Sequence, residues 1–148
     1  MANFKKILVP VDFSAHSAEA VRMAADLAQQ YDGSITLVHV HDPLPYALPP
    51  EYDMYTPEQE TRLIAEFEKR LAVTRRAAEG AGAQRVETRL LSGLPSAAIV
   101  EAARSGQFDL IVMGTRGRTG IKHALLGSVA ERVLRNAHCP VLTAKATE

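Results

Sequence analysis

The sequence predicts an α/β fold: a doubly wound, five-stranded parallel sheet in the order 3-2-1-4-5, with helices on both faces. Three observations predict it. Apolar or β-branched runs alternate with helical patterns five times along 148 residues. Two of the runs, "KKILVPV" near the start and "DLIVMG" near the end, do not alternate, the mark of strands buried on both faces. The chain is 47% apolar, enough for the core of one domain spanning residues 1–148.

The elements follow in order. "KKILVPV" is the first strand; Pro10 has no N–H, so sheet pairing should end there. "SAHSAEAVRMAADLAQQYDG" is a helix with Ser14 at its N-cap, Val21, Ala24, Ala25 and Ala28 on one face, and Gly33 after its end. "SITLVHV" is the second strand. Residues 42–57 hold five prolines and exclude a helix; so long a loop is either a functional cover or mobile. The second helix opens with Thr56 at the N-cap, Pro57 at the first helical position and Gln59 completing a capping box. Leu63, Ile64, Phe67, Leu71 and Thr74 trace its inner face, and it ends near Gly80 and Gly82. "RVETRLL" alternates as a third strand. A helix over roughly 95–105, the fourth strand "DLIVMG", a helix from Ser128 to Asn136 and a fifth strand "PVLTA" complete the chain. The third helix and the Phe67 face read as core alone.

Charge narrows the function. Lys plus Arg and Asp plus Glu are 17 each, which argues against a general nucleic-acid binder. Cys139 is the only cysteine, so no internal disulfide forms, which suits a reducing compartment; beside Pro140 it reads as a small core residue rather than a reactive thiol. The apolar run after Lys5 and Lys6 stops at Pro10 and Asp12, too short for a signal peptide, and no later run spans a bilayer. We therefore expect a cytoplasmic protein without membrane contact.

The chemistry gathers in two loops. In the order 3-2-1-4-5 the winding reverses between strands 1 and 4, and ligands bind outside their carboxyl ends. The loop after strand 1 carries Val11 and Asp12. The loop after strand 4 carries Gly114, Gly117, Gly120 and Gly127, with Ser128 opening the next helix and Arg116, Arg118, Lys122 and His123 among them. Glycine lets backbone N–H groups approach a phosphate and permits positive φ angles; a helix N-terminus adds about half a positive charge. Asp12 is either the plain cap of the first helix or a ligand to hydroxyl groups. Gly114 also reads as a simple turn. His39 and His41 share a strand face, but no further residues complete a metal site.

The loop is neither a Walker A sequence nor G-x-G-x-x-G after the first strand. Its spacing, Gly114-x2-Gly117-x9-Gly127-Ser128, resembles the G-2x-G-9x-G-[S/T] signature of the nucleotide-binding branch of the universal stress protein family. "ILVPVDFS", "DLIVMGTRGRTGIKHALLGSVAERVLRNAHCPVL" and the proline-rich segment extend the resemblance over nearly the whole chain. It implies ATP with a divalent cation, Mg2+ or Mn2+, bridging the phosphates. By position, Asp12 would bind the ribose hydroxyls, with Pro10 and Val11 lining the base pocket and Val40 reading adenine through its backbone. Met113 and Gly114 would flank the ribose; Arg116, Gly117, Gly127, Ser128 and Val129 would hold the phosphates. The resemblance further implies a homodimer through the last strand, Val141, Leu142 and Thr143.

No Ser-His-Asp order, G-x-S-x-G elbow or H-E-x-x-H occurs, and no general base for water attack is identifiable, so any ATP hydrolysis should be slow. A nucleotide-responsive regulatory module is therefore expected. The alternative is a dimeric interaction module of the same fold that binds no nucleotide. A phospho-receiver domain would need an acidic pair after strand 1 and an Asp ending strand 3; here Asp12 stands alone and strand 3 ends in "LLSG".

Overall fold

The computed structural model describes residues 3–42, 56–116 and 126–147. The strands are β1 (Lys6–Pro10), β2 (Ser34–His41), β3 (Val86–Ser92), β4 (Leu110–Gly114) and β5 (Val141–Ala144). The helices are α1 (Ala15–Tyr31), α2 (Pro57–Gly80), α3 (Pro95–Ser105) and α4 (Ser128–Asn136). All neighbouring strands pair in parallel, in the order β3-β2-β1-β4-β5 that the sequence predicts.

Strand alternation divides the core into two layers. Ile7, Val9, Ile35, Leu37, Leu110 and Val112 point to one face, where α1 and α2 cover them with Ala20, Ala24, Ala25, Leu71 and Ala78. Leu8, Val38, Ile111 and Met113 point to the other, against Ile99 and Ala103 of α3 and Ala130 and Val133 of α4. β1 is buried on both faces because it is central: Ile7, Leu8 and Val9 are fully enclosed. The alanines of α1 are small enough for that helix to lie close on the sheet.

The helix boundaries follow local chemistry. The Ser14 hydroxyl accepts from the Ser17 amide at 3.2 Å, capping α1. At its other end the left-handed residue is Asp32, with φ 53°, not Gly33. Gly33 is required for space instead: a Cβ there would lie 2.5 Å from the Phe4 carbonyl oxygen. The capping box of α2 forms as expected, with Thr56 Oγ1 accepting from the Gln59 amide at 3.2 Å and Gln59 Oε1 accepting from the Thr56 amide at 2.8 Å. Of the expected inner face of α2 only Leu71 is fully buried; Leu63, Ile64, Phe67 and Thr74 are half-covered, because α2 rests over the margin of the sheet by β2 and β3.

Candidate functional site

The sheet opens where the winding reverses. β1 and β2 pair along all of β1, from Lys6↔Ser34 to Pro10↔Val38. β1 and β4 pair only at Ile7↔Leu110 and Leu8↔Ile111. Beyond that point Val9 and Pro10 stay with β2, while Val112, Met113 and Gly114 stay with β5. Pro10 has no N–H to hold a ladder, so the two central strands part at their carboxyl ends. A cavity of about 330 Å³ occupies the gap.

Ten of the residues singled out in the sequence line it. Pro10, Val11 and Asp12 come from the end of β1, Val40 from β2, Met113, Gly114 and Arg116 from β4 and the turn after it, and Gly127, Ser128 and Val129 from the start of α4. Gly117, Gly120, Arg118, Lys122 and His123 lie outside the described residues, as does the proline-rich stretch 43–55. The sequence reading missed eight contributors, among them Pro95, Ile99, His39 and Thr115. Pro95 and Ile99 show that α3 supplies a wall and not core alone. His39 also faces the cavity. The pairing of β2 with β1 brings it there beside Val40; the sequence order placed that strand, but not the His39 bond to Val11.

The β1 loop is held by its own polar groups. Asp12 Oδ1 accepts from the Ser14 amide at 3.0 Å, an Asx turn, so Ser14 and not Asp12 caps α1. Phe13 between them has φ 66°, an uncommon conformation for a bulky residue. Asp12 Oδ2 makes no hydrogen bond among the described residues and remains an acceptor at the half-buried mouth.

Across the cavity, α4 begins at Gly127 without a side-chain cap. The first intrahelical bond runs from the Glu131 amide to the Gly127 carbonyl at 2.9 Å. Among the described residues the amides of Ser128, Val129 and Ala130 have no backbone partner, and they carry the helix's positive end, an arrangement that favours an anion. The Gly127 amide is spent on the Thr115 carbonyl at 2.6 Å. Gly127, with φ −73°, thus offers its lack of a side chain rather than a free N–H or an unusual backbone. Gly114 has a second reason to be glycine: a Cβ there would lie 2.8 Å from His16 Cβ and 3.0 Å from the Ser17 amide nitrogen. The expected positive φ angles are absent from Gly114 and Gly127 alike. Thr115 Oγ1 is buried beside the cavity without a hydrogen-bond partner among the described residues.

His39 is fixed in the wall. Its Nδ1 donates to the Val11 carbonyl at 2.8 Å, since a carbonyl only accepts. Its ring lies between Phe13, at 4.7 Å, and Phe67, at 4.5 Å. Burial holds the imidazole below its ordinary range; the Val11 bond and Asp12 oppose this, while His41 and Arg70 add to it. The described residues contain no group of three His, Cys, Asp or Glu that could hold a metal ion. Burial, aided by Asp109, pushes the Cys139 thiol up, and its side chain packs against the α3–α4 layer.

A family model described as the universal stress protein family matches residues 3–145. A universal stress protein of Methanocaldococcus jannaschii is 41% identical over 142 residues, covering 96% of this chain and 82% of the relative. Two solved structures carry nucleotides. A universal stress protein in complex with cAMP superposes with a TM-score of 0.75 at 26% identity, covering 98% of this chain and 99% of that one. The universal stress protein of Archaeoglobus fulgidus in complex with dAMP gives 0.68 at 25% identity, covering 98% and 100%.

Proposed function

The chain belongs to the universal stress protein family, and from that premise we propose that its crevice binds an adenine nucleotide, ATP with Mg2+ or Mn2+, as the signal of a regulatory module in stress response. One observation carries the reading: an acceptor carboxylate, a strand edge and an uncapped helix N-terminus converge on a single cavity at the winding reversal. Asp12 Oδ2 suits the ribose hydroxyls, and Pro10 and Val11 the base. Val40 presents backbone groups to adenine. Met113 and Gly114 flank the sugar. The amides of Ser128 and Val129, with Arg116, Gly117 and the open space at Gly127, receive the phosphates. The nucleotide-bound relatives support an adenine ring in this fold. The cation would ride on phosphate oxygens, where it neutralises charge; the residues of this chain orient the sugar and base.

Hydrolysis is slow at most, because the one carboxylate among the described residues of the crevice, Asp12, is given to the ribose and its Oδ1 is tied to Ser14. A single domain over 1–148, a cytoplasmic location and a homodimer belong to the same reading. Val141, Leu142 and Thr143 are half-covered on the outer strand of the sheet, where a second copy would pair. No helix among the described residues is long and apolar enough to cross a membrane. Nucleic acid has no part in this reading.

The test is a titration of ATP and of its 2′,3′-dideoxy analogue. Asp12→Ala should weaken ATP and leave the analogue nearly unchanged. Equal losses would remove Asp12 from the ribose. The second reading, a dimeric module without nucleotide, draws support from Gly114, whose packing on α1 explains one signature glycine without any ligand. Absence of ATP, ADP or AMP binding by the wild type, with the dimer intact, would establish it.

A further inference from the structure

A second and larger cavity, about 570 Å³, lies between α1 and α2 on the opposite face of the β1 loop. On the two helices its apolar lining is of short side chains, Ala18 and Val21 on α1 and Val73 and Ala77 on α2. Val73 is left 54% exposed, one of the few large apolar side chains so placed. Along α2 the cavity runs from Glu66 to Ala77, eleven residues of helix or about 16 Å at 1.5 Å per residue. Phe13, whose ring packs on His39 of the first crevice, is part of its lining.

The polar groups in its lining are already used. Ser14 Oγ accepts from the Ser17 amide, and the Ser17 hydroxyl donates to the Ser14 carbonyl at 3.1 Å. The Thr74 hydroxyl donates to the Arg70 carbonyl at 2.9 Å. Arg70 pairs with Glu66 at 3.5 Å and lies over the Phe13 ring at 5.5 Å. Of the polar side chains in this lining, Lys69 alone makes no hydrogen bond or ion pair among the described residues. The cavity therefore offers an apolar slot and, at one end, a net positive charge: Lys69 and Arg70 against Glu66.

We infer that this slot is a binding site for a small amphipathic anion, a medium-chain aliphatic carboxylate, its chain between α1 and α2 and its carboxylate on Lys69. The volume falls in the range of small-molecule sites, about 300–1,000 Å³, and the lining has their composition, apolar walls with few placed charges. The charge balance selects an anion, and the length of apolar lining along α2, from Val73 to Ala77 beyond the charged end, suits an aliphatic chain. The site shares only Val11 and Ser17 with the first crevice, and Ala18, Lys69 and Val73, on which its test rests, take no part in that crevice's wall.

Calorimetric titration of the whole protein with decanoate tests it, with decyltrimethylammonium as the cationic control. Saturable binding of one decanoate per chain with a Kd below about 1 mM is expected, and the cationic amphiphile should bind more weakly. Ala18→Trp and Val73→Trp fill the slot from exposed positions, so both should fold with unchanged circular dichroism and lose decanoate binding. Lys69→Glu should weaken decanoate at least about threefold while sparing the cationic amphiphile. The inference is overturned if wild type shows no saturable binding, if both Trp variants bind decanoate like wild type, or if the two amphiphiles bind alike. It is also overturned if sedimentation shows that the Trp variants lose self-association, which would make the slot an interface between copies.

Discussion

Replacing Gly114 by Ala separates two roles that sequence spacing merges. The added Cβ would stand 2.8 Å from His16 Cβ, 2.9 Å from the His16 carbonyl carbon and 3.0 Å from the Ser17 nitrogen. Ordinary carbon contacts begin near about 3.5 Å, so the overlap is roughly half an ångström. Two of the three atoms are backbone in the first turn of α1, which the Ser14 cap holds in place, so no side-chain rotation relieves the clash. The helix must lift from the end of β4, or β4 must bend. Overpacking of this kind costs about 1–3 kcal/mol. For a chain of this size that lowers the melting temperature by roughly 2–12 °C, at about 2–4 °C per kcal/mol. Urea and thermal unfolding followed by circular dichroism measure it. Gly80→Ala is the control: an added Cβ there meets nothing within 4 Å, and the last turn of α2 should gain up to about 1 kcal/mol. If Gly114→Ala is as stable as wild type and loses only nucleotide affinity, the packing argument is wrong and the glycine serves the ligand alone.

Three other perturbations probe separate parts of the molecule. His39 is held below its ordinary value near about 6.5 by burial, so on acidification the unfolded chain takes up the proton first. Stability should fall as pH drops from that value through the lowered folded one, with Asp12, His41 and Arg70 setting the detail. In His39→Gln the urea midpoint should change less between pH 7.5 and 5.5; an identical slope would refute the assignment. Cys139, its thiol pushed up by burial, should react with iodoacetamide at neutral pH more slowly than a free cysteine, and a faster rate would contradict its place in the α3–α4 layer. Thr56→Ala removes one half of the α2 capping box and should cost about 1 kcal/mol by urea unfolding; no loss would mean that the first turn of α2 adds nothing to stability.

The strand order was legible because unbroken apolar runs identify the two central strands and alternation identifies the outer β3. The caps were legible because Ser14, Thr56, Pro57 and Gln59 act within a few residues of themselves. Asp12 and Gly127 could be placed at the winding reversal, since topology alone brings their loops together. The reasons for individual residues were less legible. The spacing of Gly114 suggested room for a phosphate, yet its nearest neighbours are the backbone of α1, a contact 98 positions away from Gly114 to His16. His39 was placed only on a strand face with His41, where no metal site is completed, and Pro95 and Ile99 read as plain core.

What the sequence determined by itself is therefore local or periodic: where strands and helices begin, which faces are apolar, and which two loops the winding must join. What only the tertiary structure decided is every contact between residues far apart in the chain. The His39 bond to Val11, the Gly127 amide spent on Thr115 and the unfilled slot between α1 and α2 are all of that kind. The physical reason is range. Backbone propensity and hydrophobic period act over a few residues, whereas close packing and hydrogen-bond pairing depend on distances of tenths of an ångström that are set once the sheet has closed.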